Sequence, residues 1–440
     1  MSDNPLDHPV DYQLRRQRAI NLLEGSSLLL LSQPDTVRNA STHHPYRQES
    51  FFAYLSGFYE PDSALVIAAH RPVGDQVHLF LRDLDLAQEI WTGKRLGLER
   101  AKGELKVDQV HRSDKLWTLL PDLLKGTVQL YAQLGLSEIY DRHILNVLLT
   151  HKQKFGKMGR SALLPLLDAR EIAGILRIKK QPEEIIRLRE AARITEKAFR
   201  RIMALTRPGM NERQVHAMLL STYLEEGAEM EAYPAIVAGG ERGFYLHYQE
   251  NNKILADGDT ILVDSGCQYQ YYCCDVTRTF PVSKTFSQQQ KDIYQVVFQA
   301  QKNALSVAVA GSSLEKIHRT TIESLTQGLI DLGLLQSSLD QAIQQELYKP
   351  FYPHGTSHWI GMDVHDVGLY YQKGCPVPLE DGMYFSVEPG LYFNPQDTRI
   401  PVHFRGISVR IEDDVLIESH SSTVVTGSIP KEIGELESMR

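Results

Sequence analysis

"ILVDSGCQYQYYCCDVTRTFPV", residues 261–282, sets Asp264 and Asp275 in a stretch that otherwise reads as apolar and aromatic β-structure. If "TILVDSG" and "YCCDVTRTF" fold back on one another as an antiparallel hairpin centred between Tyr269 and Gln270, the two aspartates stand directly opposite and share a face. Like charges so placed repel unless a cation lies between them or one is protonated. The plain alternative is a solvated hairpin face carrying two unrelated aspartates.

Three segments further along bear on that choice. "YPHGTSHWIGMDVHDVG" (352–368) carries His354, His358 and His365 in a loop too rich in glycine for a regular helix. "GMYFSVEPGLYF" (382–393) sets Glu388 at the end of an apolar strand. "GISVRIEDDVLI" (406–417) alternates, with Ile407, Val409 and Ile411 facing one way and Ser408, Arg410 and Glu412 the other. Singly these read as core histidines, a strand-end carboxylate and a surface Arg–Glu pair. Together they supply four carboxylates and an imidazole, an oxygen-rich set suited to hard or borderline divalent ions such as manganese, cobalt or zinc. Four carboxylates balance two divalent cations, and the charge of Arg410 would offset a hydroxide held between them. Two metals about 3.5–4 Å apart activate water and polarise a carbonyl together.

The rest of the chain sets the frame. Its 440 residues are too many for one ordinary core, so two domains are expected. Composition is that of a soluble globular protein, with mean hydropathy -0.28 and no apolar run long enough to span a bilayer. The net charge of -8 and the lack of a basic run argue against nucleic acid as a partner. Acids near the start, in "MSDNPLDHPVDYQLRRQRAI", stand where a signal peptide needs basic residues. Cys267, Cys273, Cys274 and Cys375 form no CxxC pair, which suggests a reducing cytoplasm and small buried thiols. The first third alternates strand-like runs ("SLLLLS", "SALVIAA", "VHLFLR", "TVQLYAQLG") with amphipathic stretches, an α/β pattern. Near 175 a long helix begins, with Pro182 in its first turn and Ile185, Leu188, Ala192, Phe199 and Ile202 on one face. A boundary is therefore expected there, giving domains 1–175 and 176–440.

At this point the residues resemble a family. Asp264, Asp275, His358, Glu388 and Glu412, inside "VDSG", "DVTRTF", "HGTSHWIG", "VEPGLY" and "RIEDDV", resemble the pita-bread metallopeptidases, and within them aminopeptidase P. "YRQESFFAYLSGFYEPDSALVI" (46–67) is similar to the amino-terminal domain shared by aminopeptidase P and prolidase. The resemblance implies an α/β (α+β) chain, an amino-terminal α/β domain followed by a pita-bread catalytic domain. It also implies two divalent ions, manganese foremost: Asp264 would chelate one, His358 and Glu388 the other, and Asp275 and Glu412 would bridge both. His247, His354 and His365 match histidines that contact substrate or stabilise the tetrahedral intermediate, while Arg410 and Tyr392 fit orienting or charge-balancing positions.

The implied reaction is release of the first residue from peptides with proline second, in a homo-oligomer, dimer or tetramer, without nucleic acid or membrane. Prolidase is the rival, and a metal-free pita-bread binding protein is the other alternative. "YYCCD" departs from the family pattern by placing Cys273 and Cys274 just before Asp275, which raises the question of metal preference or oxidation sensitivity.

Overall fold

The computed structural model describes residues 9–158 and 163–439, and the chain falls into two compact units, Val10–Leu176 and the part from Arg177 onward. The first unit is built on a six-stranded sheet: β1 (Ser27–Leu31), β2 (Ala64–Ala68), β3 (Val77–Leu81), β4 (Gln109–Arg112), β5 (Leu130–Ala132) and β6 (Leu166–Asp168). The order is β4-β3-β2-β1-β5-β6, and only β2 runs against the rest. The three central strands are buried along their whole length, which is why they appear in the sequence as unbroken apolar runs rather than alternations. Helices α1 (Leu116–Leu123) and α2 (Glu138–Phe155) pack Leu120, Ile144 and Leu148, with Leu124 just beyond α1, against Leu29, Val66 and Phe80.

In the second unit α3 (Pro182–Leu205) starts as the sequence suggests: Pro182 occupies the first turn, and Gln181 and Glu184 close a reciprocal capping box. Leu188, Ala192, Phe199 and Ile202 are buried against the strands, while Ile185 is half-buried. The site-bearing strands are β7 (Ile236–Gly239), β8 (Thr260–Asp264), β9 (Cys267–Tyr269), β10 (Tyr272–Cys273), β11 (Thr277–Pro281), β12 (Tyr384–Val387), β13 (Gly390–Tyr392), β14 (Ser408–Arg410) and β15 (Asp413–Glu418). Among the described residues no helix is long and apolar enough to cross a membrane.

The opening hairpin forms, but two residues out of the expected register. Tyr269 pairs with Tyr272, so the turn consists of Gln270 and Tyr271, both left-handed (φ 46° and 73°), and Asp264 lies opposite Thr277 rather than Asp275. Positive φ at both central residues is the geometry of a two-residue hairpin turn that usually advertises itself with Asn-Gly, and "QY" carries no such signal. Gln270 is secured in that conformation by Arg187, which donates to its side chain at 3.0 Å, and by its own backbone N–H donating to Glu229. A slip of two leaves side chains on the same face, so the aspartates remain diagonal neighbours.

Behind the strands, Arg278 is fully buried and donates to Asp413 Oδ1 (2.7 Å), to the carbonyl of Glu412 (2.5 Å) and to that of Pro430 (3.1 Å). Asp413 also accepts from Gln301 and Thr426 and pairs with Lys431. Removing one partner of a buried ion pair leaves the other uncompensated in a dry interior. Asp413→Ala is therefore expected to cost about 3–5 kcal/mol, read as a lower midpoint in urea unfolding at unchanged slope.

Candidate metal centre

Four chain segments converge here, and backbone hydrogen bonds stitch them together. β8 delivers Asp264 at its last residue, and Asp275 follows the hairpin. Glu388 sits between β12 and β13, and Glu412 between β14 and β15, because Val387 pairs with Asp413 and Gly390 with Arg410. The N–H of Glu412 donates to the Thr277 carbonyl (3.0 Å), that of Glu388 to Thr356 (2.9 Å) and that of Ser386 to His358 (3.0 Å). Gly266 is required at the crossing, since a Cβ there would lie 1.7 Å from the carbonyl oxygen of Cys274.

The five expected ligands all line one cavity of about 530 Å³, together with His247, His354, His365 and Arg410. His358 donates from Nδ1 to the carbonyl of Trp359 (3.2 Å), which leaves Nε2 aimed at the carboxylates: 3.4 Å from Asp275, 3.6 Å from Glu388 and 4.0 Å from Glu412. Potential donor atoms of Asp275, His358 and Glu412 lie within 4.8 Å of one another. Arg410 donates to Asp264 (2.5 Å), to the Thr277 hydroxyl (3.0 Å) and to the Tyr392 hydroxyl (2.9 Å), and Thr277 in turn donates to Glu412 (2.8 Å).

So many carboxylates in a buried space distort one another's chemistry. Burial, opposed by His358 and Arg410 and reinforced by Asp275 and Asp264, lifts Glu388 to about 7. Burial and the neighbouring carboxylates push Glu412 well above its ordinary range, and burial raises Asp264 despite Arg410. Burial works against charge on His358, but the acids around it outweigh that and raise it to about 9. An acidic cluster that retains protons and recruits an imidazolium lacks positive charge, so the donor set fits divalent cations held by oxygen and one imidazole.

The histidines divide into two kinds. His354 is held neutral, mainly by burial and then by Arg410, which lower it to about 3. Its Nδ1–H donates to the Gly355 carbonyl (2.7 Å), so Nε2 accepts from Tyr392 (2.8 Å). His247 and His365 line the cavity and hydrogen-bond to none of the described residues. Tyr392 does not reach the cavity; it is buried behind it, joining His354 to Arg410.

Sequence reading missed Tyr233, whose hydroxyl contacts Asp264 (2.6 Å) and Asp275; it lies just before Pro234 in a segment without periodicity or motif. It also placed all four thiols inside, whereas Cys375 is exposed on a hairpin. Cys273 and Cys274 are buried, and burial pushes Cys274 well above the usual thiol range, which keeps it protonated and poorly reactive.

The model of metallopeptidase family M24 matches residues 186–419, and that of the aminopeptidase P amino-terminal domain matches residues 12–131. The chain belongs to metallopeptidase family M24. An Xaa-Pro aminopeptidase of Haemophilus influenzae is 38% identical over 98% of this M24 chain and 96% of its own length. The structure of Pseudomonas aeruginosa aminopeptidase PepP superposes with a TM-score of 0.92 at 36% identity, covering 97% of each chain. That of Escherichia coli aminopeptidase P in complex with substrate gives 0.91 at 36% identity, covering 98% of each. The α/β unit followed by the M24 unit is the architecture expected from the sequence, and the acidic cavity is the metal-binding site of the M24 unit.

Proposed function

We propose that this M24 chain is a metallo-aminopeptidase releasing the first residue from peptides with proline in second position. The observation that carries the reading is the one cavity gathering the acidic cluster and two histidines without a hydrogen-bond partner among the described residues, in a chain similar along nearly its whole length to Xaa-Pro aminopeptidases. Residues 176–440 form the catalytic domain and 1–175 the amino-terminal domain. Asp264, Asp275, His358, Glu388 and Glu412 would hold two divalent ions, manganese foremost with cobalt or zinc as substitutes, with Asp275 and Glu412 as the ligands that would be shared between them. When bound, the ions supply Lewis-acid activation of water and of the scissile carbonyl.

The chain's own groups do the rest. His247 and His365 orient the peptide and donate to the oxygen that gains charge. Glu388 carries a proton to the departing proline nitrogen. Arg410, Thr277 and Tyr392 fix the carboxylates and His354 in place. Ile236, Leu246, Val364 and Tyr370 offer the cavity apolar wall for a proline ring. A ring amide lacks N–H, so a peptidase must hold it by shape rather than by that donor.

An Xaa-Pro dipeptidase would need a cation for the free proline carboxylate. Among the residues lining the cavity Arg410 is the one Lys or Arg, and its guanidinium is committed to Asp264, Thr277 and Tyr392. Arg399 is bound to Asp397 at the surface, outside the lining. Both features favour the aminopeptidase. A reducing cytoplasm and a homo-oligomer, dimer or tetramer, complete the reading; Leu86, Ile90 and Trp91 are each more than three-quarters exposed and suit an interface between copies.

Metal dependence tests the reading. Protein stripped with a chelator is expected to lose hydrolysis of Ala-Pro-Ala and to regain it on adding manganese. An undiminished rate in metal-free protein refutes the assignment.

A further inference from the structure

A second cavity, of about 330 Å³, lies wholly within the amino-terminal unit, at the carboxyl ends of β1, β3 and β4 and beside the start of the antiparallel β2. Loop ends of mostly parallel sheets are where α/β folds commonly take small ligands. Phe80, Trp117 and Tyr140 give it aromatic surface, and Asp62, Arg82 and Asp114 give it charge.

Its cation is the unusual feature. Nε of Arg82 is buried and makes no hydrogen bond. The nearest carboxylate oxygens, of Glu60 at 3.7 Å and Asp62 at 3.9 Å, are too far for hydrogen bonds, and that Glu60 oxygen is itself buried without a partner. Arg82 itself lines the cavity and donates no hydrogen bond to any described residue, so the ends of its guanidinium fork are open to a partner that comes from outside. Asp62 stands at the mouth with its side chain 68% exposed.

The charges narrow the chemistry. Asp114 is already paired with Arg112, which leaves Asp62 beside Arg82; a bare anion would meet the Asp62 carboxylate, and a bare cation would leave the Arg82 fork unspent. A zwitterion satisfies both, the aromatic wall calls for an apolar body, and the volume has no room for a long peptide.

We propose that this cavity binds a free α-amino acid with an apolar side chain, its carboxylate on Arg82, its ammonium at Asp62 and its side chain against Trp117 and Phe80. The reaction proposed above releases such amino acids, which would make the site a sensor of product.

Calorimetric titration of the full, metal-loaded chain with L-leucine tests this. Saturable binding is expected, weakened at least about tenfold in Arg82→Gln, a loss in keeping with a charge-assisted fork. L-Leucinamide, lacking the carboxylate, and N-acetyl-L-leucine, lacking the ammonium, are expected to bind correspondingly worse. Cleavage of Ala-Pro-Ala should be unchanged in the variant, and the binding result stands whatever that assay returns. Should Arg82→Gln not fold, Asp62→Asn at its exposed position carries the same expectation. No saturable binding, or binding indifferent to the variant that folds, overturns the proposal; indifference would assign the leucine to the metal cavity.

Discussion

Asp275→Asn is expected to strip the protein of bound divalent ions and, with them, of peptidase activity. Asp275 occupies the middle of the cluster: one oxygen lies 3.4 Å from His358 Nε2, and the other contacts the hydroxyl of Tyr233. In the proposed arrangement it serves both ions, so no site survives its neutralisation. Outer-shell changes at metal sites already cost about 10–100-fold in affinity, and loss of a shared carboxylate should exceed the upper end of that range. Global unfolding is distinguishable, because one negative charge fewer relieves the repulsion that raises Glu388 and Glu412. The metal-free variant should therefore melt no lower than the metal-free parent. Elemental analysis after gel filtration, with turnover measured on the same sample, reads the outcome; full metal content with normal activity contradicts the two-metal assignment.

The second large effect separates two histidines four residues apart. His358 presents Nε2 to three carboxylates, so His358→Ala should weaken metal binding and lose activity with it. His354 is neutral, with both nitrogens engaged by Gly355 and Tyr392, and it touches the cluster only through Glu388 at 3.7 Å. His354→Ala should keep the metals and lower kcat, by roughly the 10²–10⁴-fold that a positioned proton-transfer or orienting group supplies. Metals lost on changing His354 but retained on changing His358 would show that the two roles are interchanged.

What was legible in the sequence follows from which residues physics compels to be odd. Carboxylates and histidines inside apolar strands and glycine-rich loops stand out, so the residues now found around one cavity could be picked out without coordinates. Helix α3 was readable because proline, acids and an apolar face agree on its start. The hairpin register was not, because Gln270 and Tyr271 adopt left-handed turns that their side chains do not announce. Tyr233 was invisible for a related reason: a lone tyrosine before a proline resembles ordinary loop, and only the fold brings its hydroxyl onto two aspartates. Tyr392 was noticed, yet its burial behind the cavity depends on the pairing of β13 with β14, which no local pattern encodes.

Initial rates on Ala-Pro, Ala-Pro-Ala and Ala-Ala-Ala, assayed side by side with manganese, bear most directly on the central claim. The expected result is release of alanine from Ala-Pro-Ala at a rate at least comparable with Ala-Pro, and little cleavage of Ala-Ala-Ala. Cleavage confined to Ala-Pro would make the enzyme a dipeptidase, and equal cleavage of Ala-Ala-Ala would remove proline from the account altogether.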